Sequence, residues 1–208
     1  MTPLVLASAS PRRRDLLVRL GIPFEVLTPD VDEGAGDGAG PVLVARRLAQ
    51  EKALAVARRC PEAVVLAADT VVAGRGVLLG KPRDAAEAAA MLQGLRGRTH
   101  RVITAVAVLA PGRVRPLVDH ALTSVTMGRY TDEGIAASIA RGDPFDKAGG
   151  YAIQDDVLAP AERYEGCYCS VVGLPLWIAV RLLGRAGLDI THIGESQLLP
   201  QCASCPLR

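Results

Sequence analysis

Three consecutive arginines, Arg12, Arg13 and Arg14, follow Ser10 and Pro11 in the stretch LASASPRRRDLL. Serine before proline opens a helix, with Ser10 as N-cap and Pro11 as the first helical residue. The arginines then fall in the first turn, where the helix dipole is already positive; each costs about 0.3–1 kcal/mol there. At about 100° per residue Leu16, Leu17 and Leu20 define the apolar face, Arg13 lies in its middle, and Arg12 and Arg14 flank it. An inward arginine needs a partner, because an unpaired buried charge is expensive. One reading is an internal salt bridge, or stems that snorkel to water. The other is a phosphate held jointly by free helix N–H groups and guanidinium forks. A polyphosphate offsets the dipole penalty more fully than one carboxylate does.

Further chemistry-bearing residues lie downstream. In VVLAADTVVAGRGVLLGKP, Asp69 interrupts a run of Val, Leu and Ala that reads as a strand buried on both faces. A carboxylate there must be paired, metal-bound or catalytic, unless it caps a nearby turn. Strand alternation sends Asp69 and Thr70 to opposite faces, so they do different jobs. Lys81, between Gly80 and Pro82, is either solvated or a point charge on a phosphate. The acidic loop VDEGAGDG carries Asp30, Asp32 and Glu33 but lacks the later ligands of a calcium loop. It is a solvated loop, or one of its carboxylates helps Asp69 hold Mg²⁺, which often uses one or two carboxylates plus substrate phosphates. Lys52 falls on the side of Val44, Leu48 and Ala55, another cation out of place, unless it snorkels. In GDPFDKAGGYAIQDD, Pro144 and Gly149-Gly150 bracket Asp146 and Lys147, and Gln154 ends a short strand. Glutamine carries the donor and acceptor that a base edge requires.

The elements that must position these groups alternate in kind. Strand-like runs cover Leu4–Ala7, Phe24–Leu27, Ala63–Val72, His100–Leu109 and Val114–Met127, with shorter ones near Tyr151–Gln154 and Tyr168–Val172. Helical patterns cover Pro11–Leu20, Val42–Arg59, Asp84–Leu95, Thr131–Ala140 and Pro175–Ala186. This is an α/β pattern. The long strands flanking APGR suggest a hairpin, hence a mixed sheet. The 208 residues suit one domain with a sizeable core.

Half the residues are hydrophobic, yet no window approaches the roughly 20 unbroken apolar residues of a membrane span. Arginines come too early for a signal peptide, so a soluble cytoplasmic protein is expected. A net charge of +2 is too small for a nucleic-acid polymer as partner. Two Phe, four Tyr and one Trp are too few for a stacking platform. Any anion bound is therefore small. Five cysteines, an odd number, argue against a disulfide framework. Cys202 and Cys205 form a CxxC in the tail, and with Cys167 and Cys169 could make a four-thiolate zinc site. The C-x-C spacing is poor for that purpose, and the tail is expected to fray.

Taken in order, LASASPRRRDLL, AADTVV, LGKP, GRTHRVIT, FDKAGGYAIQ and VVGLPL resemble the Maf family of nucleoside triphosphate pyrophosphatases, also known as the septum-formation-inhibitor family. The resemblance runs from about Leu4 to Leu188, so residues 1–189 read as the Maf-like domain and 190–208 as a tail outside it. It implies an α/β fold of the ITPase/Maf kind, a mixed central sheet flanked by helices, with a cleft between two lobes. It implies a divalent cation, Mg²⁺ or Mn²⁺, and release of pyrophosphate from the nucleotide. FDKAGGYAIQ is similar to the branch acting on dTTP and UTP rather than on 7-methyl-GTP. By motif, Asp69 is the general base. Arg12, Thr70 and Gln154 set specificity. Ser8, Arg13, Glu33, Lys52, Lys81 and Lys147 line the phosphate and metal region, with Glu33 and Asp69 on the metal. A homodimer is compatible with all of this. Two departures bear on base preference: GCYCS replaces a serine-rich segment, and Asp155-Asp156 replace a glycine. The alternatives are the same chemistry on modified or methylated nucleotides, or a nucleotide-binding regulator of septum formation without turnover.

Overall fold

The structure is a computed structural model that describes residues 2–32, 39–194 and 197–208. Seven strands form one mixed sheet in the order β2-β1-β3-β5-β6-β7, with β4 paired to β3. They are β1 Leu4–Ala7, β2 Phe24–Leu27, β3 Val64–Gly74, β4 Val77–Leu79, β5 Thr99–Leu109, β6 Leu117–Met127 and β7 Ala161–Glu165. The helices are α1 Pro11–Val18, α2 Pro41–Ala57, α3 Ala85–Leu95, α4 Asp132–Ala140, α5 Tyr168–Val172 and α6 Leu176–Arg185. β1 runs parallel to both β2 and β3, and the remaining pairings are antiparallel. The APGR hairpin joins β5 to β6 as expected.

Strand alternation builds two cores on one sheet. Val65 and Ala67 of β3 face α2, meeting Val44, Leu48, Ala49 and Val56. Val64, Leu66 and Ala68 face α1 and α6, meeting Leu16, Leu17, Leu20 and Leu182. Each fully buried leucine contributes about 1.5–3 kcal/mol, so Leu6, Leu17, Leu66 and Leu182 alone anchor that layer. A third cluster at the far end packs Val72, Leu92, Leu95, Val125, Met127 and Ile135 under α3 and α4. The cleft lies between this lobe and the other two clusters.

Three expectations are corrected, and two strands are added. Tyr168–Val172 is a helix, not a strand; Ser170 accepts from Thr104 and bonds Thr123, tertiary ties that override the β preference of Val171-Val172. Tyr151–Gln154 runs through turns, because the free edge of β6 is taken by β7 instead. β7 itself, AERYE, is an edge strand whose charges hide the apolar alternation. The segment after β3 turns back as β4 through Arg75 and Gly76 at φ 54° and 80°. Positive φ at both positions is the two-residue hairpin geometry that matches strand twist. The tail does not fray. Leu198, Cys202 and Cys205 are buried in the α1–α6 core, and Trp177 Nε1 donates to the Cys202 carbonyl at 3.1 Å. Among the described residues no helix is long and apolar enough to cross a membrane.

His100 on β5 is 3% exposed, and its Nε2 meets the Tyr151 hydroxyl at 2.7 Å. Among the described residues its Nδ1 has no hydrogen-bond partner. Burial pushes the imidazole down to about 4. Between pH ~6.5 and ~4 the unfolded chain therefore takes a proton that the fold refuses. The histidine's contribution is complete above about 6.5 and falls by about 3 kcal/mol as pH drops toward 4. Urea midpoints measured across that window should decline with acid, and His100→Gln should flatten the decline.

Candidate active site

β1 pairs with β3 only through Leu4–Ala7 against Val64–Ala67, whereas β4 pairs with β3 only from Val72 to Gly74. Between them, among the described residues, Ala68–Val71 has no strand on that side. The sheet gapes at the carboxyl end of β1, the position where open α/β sheets place ligands. A cavity of about 410 Å³ occupies the gap. Because it straddles the sheet edge, Asp69 and Thr70 both line it although they point to opposite faces. Ser8, Arg12, Arg13, Lys52, Lys81, Lys147 and Gln154 line the same cavity. Glu33 lies outside the described residues.

Lys52 explains its own position. It sits on the apolar face of α2, 5% exposed, and its Nζ donates to Asp69 Oδ1 at 2.5 Å. Asp69 is 6% exposed. Two groups that are each too costly to bury alone are thus buried together.

The arginines are held in place before any ligand arrives. Ser10 caps α1, accepting from the Arg13 N–H, and its own N–H donates to the buried Ser8 hydroxyl at 3.1 Å. Arg13 Nε donates to the Gly173 carbonyl at 2.9 Å and Nη2 to Thr70 Oγ1 at 3.1 Å, while Nη1 reaches Ser8 Oγ at 3.5 Å. Gly173 has φ +128°, and a Cβ there would lie 3.4 Å from Arg13 Nε. Only glycine gives the guanidinium this approach. Arg12 Nη1 donates to Asp146 Oδ2 at 3.0 Å. Lys147 Nζ donates to Asp146 Oδ1 at 2.5 Å and to the Asp143 carbonyl. Burial pushes the Asp146 carboxyl up, but Lys147 and Arg12 together outweigh it and hold it below the ordinary range. Arg14 is exposed, 3.7 Å from Asp15, and stays outside the cavity.

Asp146 and Tyr151 also line the cavity and were not named as site residues from sequence. The bracketing of Asp146 by Pro144 and Gly149-Gly150 was the available signal. Lys81 is exposed just beyond β4, and Gln154 is exposed on a turn at the mouth. Asp155 Oδ1 accepts from the Val157 and Leu158 N–H groups, so the acid that replaces glycine after Gln154 fixes this turn.

Five cations against two carboxylates line the described cavity. That balance suits a small polyanion. The described donor set fits a hard divalent cation held by Asp69 together with substrate oxygens. It does not make a standing cage: among the described residues no three Cys, His, Asp or Glu side chains form one.

Residues 3–186 match the Maf-like protein family. A dTTP/UTP pyrophosphatase of Thermomicrobium roseum is 60% identical over 98% of this chain and 93% of its own. The dTTP/UTP pyrophosphatase of Moorella thermoacetica is 47% identical over 91% of this chain and 98% of its own. That of Bacillus cereus strain ZK / E33L is 42% identical over 92% and 100%. A solved HAM1 protein from Coxiella burnetii has a TM-score of 0.40 at 18% identity, covering 62% of this chain and 74% of its own, too faint a likeness to bear on function.

Lys52→Met should cost about 3–5 kcal/mol of unfolding free energy, because it strands the Asp69 carboxylate in a buried position. Lys52→Met combined with Asp69→Leu should recover most of that loss. Chemical denaturation of both variants measures the difference.

Proposed function

The chain belongs to the Maf family, and from that premise we propose that it hydrolyses dTTP and UTP to the monophosphate and pyrophosphate. The observation that carries this reading is the Lys52–Asp69 pair, buried in a cavity where cations outnumber carboxylates five to two. A triphosphate brings about four negative charges, and in-line attack requires them neutralised and the reacting phosphorus positioned. Arg12, Arg13, Lys81 and Lys147 stand around the space where those phosphates fit. Arg13 is already oriented by Ser8, Thr70 and Gly173, so little ordering remains to be done on binding.

Asp69 accepts the proton of the attacking water. Lys52 fixes the carboxylate's position from the α2 side. Water oxygen bonds to phosphorus, the α–β anhydride bond breaks, and pyrophosphate leaves with the electron pair. Asp69, with Glu33, would hold Mg²⁺ or Mn²⁺, which when bound neutralises phosphate charge and polarises the phosphoryl group. Gln154 at the mouth offers a carbonyl to a pyrimidine N3–H and an amide N–H to O4, an edge common to uracil and thymine. Arg12 borders the same mouth, and Thr70 acts on specificity through its bond to Arg13. The enzyme would work on free nucleotide pools in the cytoplasm, where its thiols stay reduced.

A nucleotide panel assayed for pyrophosphate should give turnover on dTTP and UTP with Mg²⁺ or Mn²⁺ and none with chelator. Asp69→Asn should lower kcat by about 10²–10⁴-fold. Full turnover by that variant would remove Asp69 from the mechanism. A preference for methylated nucleotides would move the substrate, and tight dTTP binding without dTMP would make the protein a regulator.

A further inference from the structure

None of the five cysteines lines the cavity, yet four of them gather. Cys167, Cys169, Cys202 and Cys205 are 2%, 1%, 3% and 6% exposed within one core cluster. The Cys169 and Cys202 sulfurs stand 3.3 Å apart, and Cys167 lies near enough to Cys169 and Cys205 for its ionisation to feel both thiols. All four thiols thus share one buried neighbourhood, two from the segment opening α5 and two from the tail. A disulfide needs sulfurs about 2.05 Å apart. Four thiolates at about 2.3 Å from one zinc ion lie about 3.8 Å from each other. The observed spacing is closer to the second pattern, and four gathered thiols exceed what one disulfide uses.

The C-x-C spacing loses its force as an objection. Residues two apart on a helix do not face each other, but Cys167 is the N-cap of α5, with extended backbone at φ −98°, ψ 113°. It is free to turn its thiol toward that of Cys169. The tail pair closes a tight turn, with the Cys205 N–H donating to the Cys202 carbonyl at 3.3 Å. The family match ends at residue 186, before this turn.

We propose that Cys167, Cys169, Cys202 and Cys205 bind one structural Zn²⁺ that clasps the C-terminal tail to α5. Four thiols lose four protons to the solvent and become thiolates as the ion enters; nothing is oxidised. The thiols are not yet disposed as a finished cage, so side-chain rotation completes the tetrahedron on binding. The clasp reaches the catalytic cavity through α5. The Ser170 carbonyl accepts from Thr104 Oγ1, which bonds Thr70 Oγ1, and Gly173 receives Arg13.

The full chain, purified under reducing conditions and dialysed, is tested by elemental analysis, then by zinc titration of chelator-stripped protein against a chromogenic competitor. One zinc per chain, lost in Cys202→Ser/Cys205→Ser and kept in Cys60→Ser, supports the site. Tetrahedral cobalt–thiolate absorption after Co²⁺ replacement supports it without any variant. Stripped protein that takes up no stoichiometric Zn²⁺ overturns it. So does zinc content unchanged in the double variant, or a Cys169–Cys202 disulfide in the protein as isolated. Pyrophosphatase activity enters none of these readouts.

Discussion

One ion pair dictates where everything else in the cavity stands. Asp69 sits in the middle of a strand whose neighbours are Val and Ala, and that position is tolerable only because Lys52 meets it at 2.5 Å. The pairing fixes α2 against β3 at one register, with Lys52 in line with Leu48 and Val56. It also explains why β1 is so short. Were β1 to continue past Ala7 alongside β3, its backbone would seal the edge at Asp69. The strand stops, the chain turns at Ser8, and the gap becomes the cavity. A buried pair of this kind is weak evidence for stability, since apolar replacements often do as well. Its retention here is better explained by the charge it presents to the cavity.

The electrostatics of α1 follow the same logic. Its first turn holds three arginines and no acid, a poor arrangement for an isolated helix. The folded chain offsets this in part. Asp146 reaches across from the loop after α4 to Arg12, and Arg13 spreads its donors over Gly173, Thr70 and Ser8. The two readings of the arginines are therefore not exclusive. Arg12 is salt-bridged to the protein's own carboxylate, and the same contact holds it at the cavity rim.

What was legible in the sequence was what local physics dictates. Ser10 and Pro11 mark the start of α1, the helical patterns starting at Asp84 and Thr131 find α3 and α4 to within one residue of their N-caps, and apolar β3 reads directly as an interior strand. The cations that line the cavity were legible for the opposite reason: Arg13 and Lys52 violate the pattern around them, and local rules break where function imposes another demand. What could not be read depends on distant partners. Val171-Val172 favours a strand until Thr104 and Thr123 supply hydroxyls that hold it as a helix. Tyr151 suits a strand until His100 takes its hydroxyl. The tail looked free because nothing local shows that Trp177 and the α1–α6 core are waiting for it. The Maf resemblance supplied roles for individual residues that composition alone could not.

The hydroxyls beneath α5 tie these observations together. Thr70 on β3 bonds Thr104 on β5 at 2.9 Å, and Thr104 donates to the Ser170 carbonyl at 2.6 Å. Thr123 on β6 bonds Ser170 Oγ at 2.8 Å and accepts from the Cys167 N–H at 2.9 Å. This polar ladder crosses three strands, and Thr104, Thr123 and Ser170 are all fully buried. Buried polar groups that satisfy one another rigidify a core more than they stabilise it. Here the rigid object is a five-residue helix, too short to hold its own shape in water. That helix ends in the carbonyl that aims Arg13. A cavity of mobile cations would have to order them on each binding event, whereas this one has its most inward guanidinium placed by hydrogen bonds that lead back through the sheet.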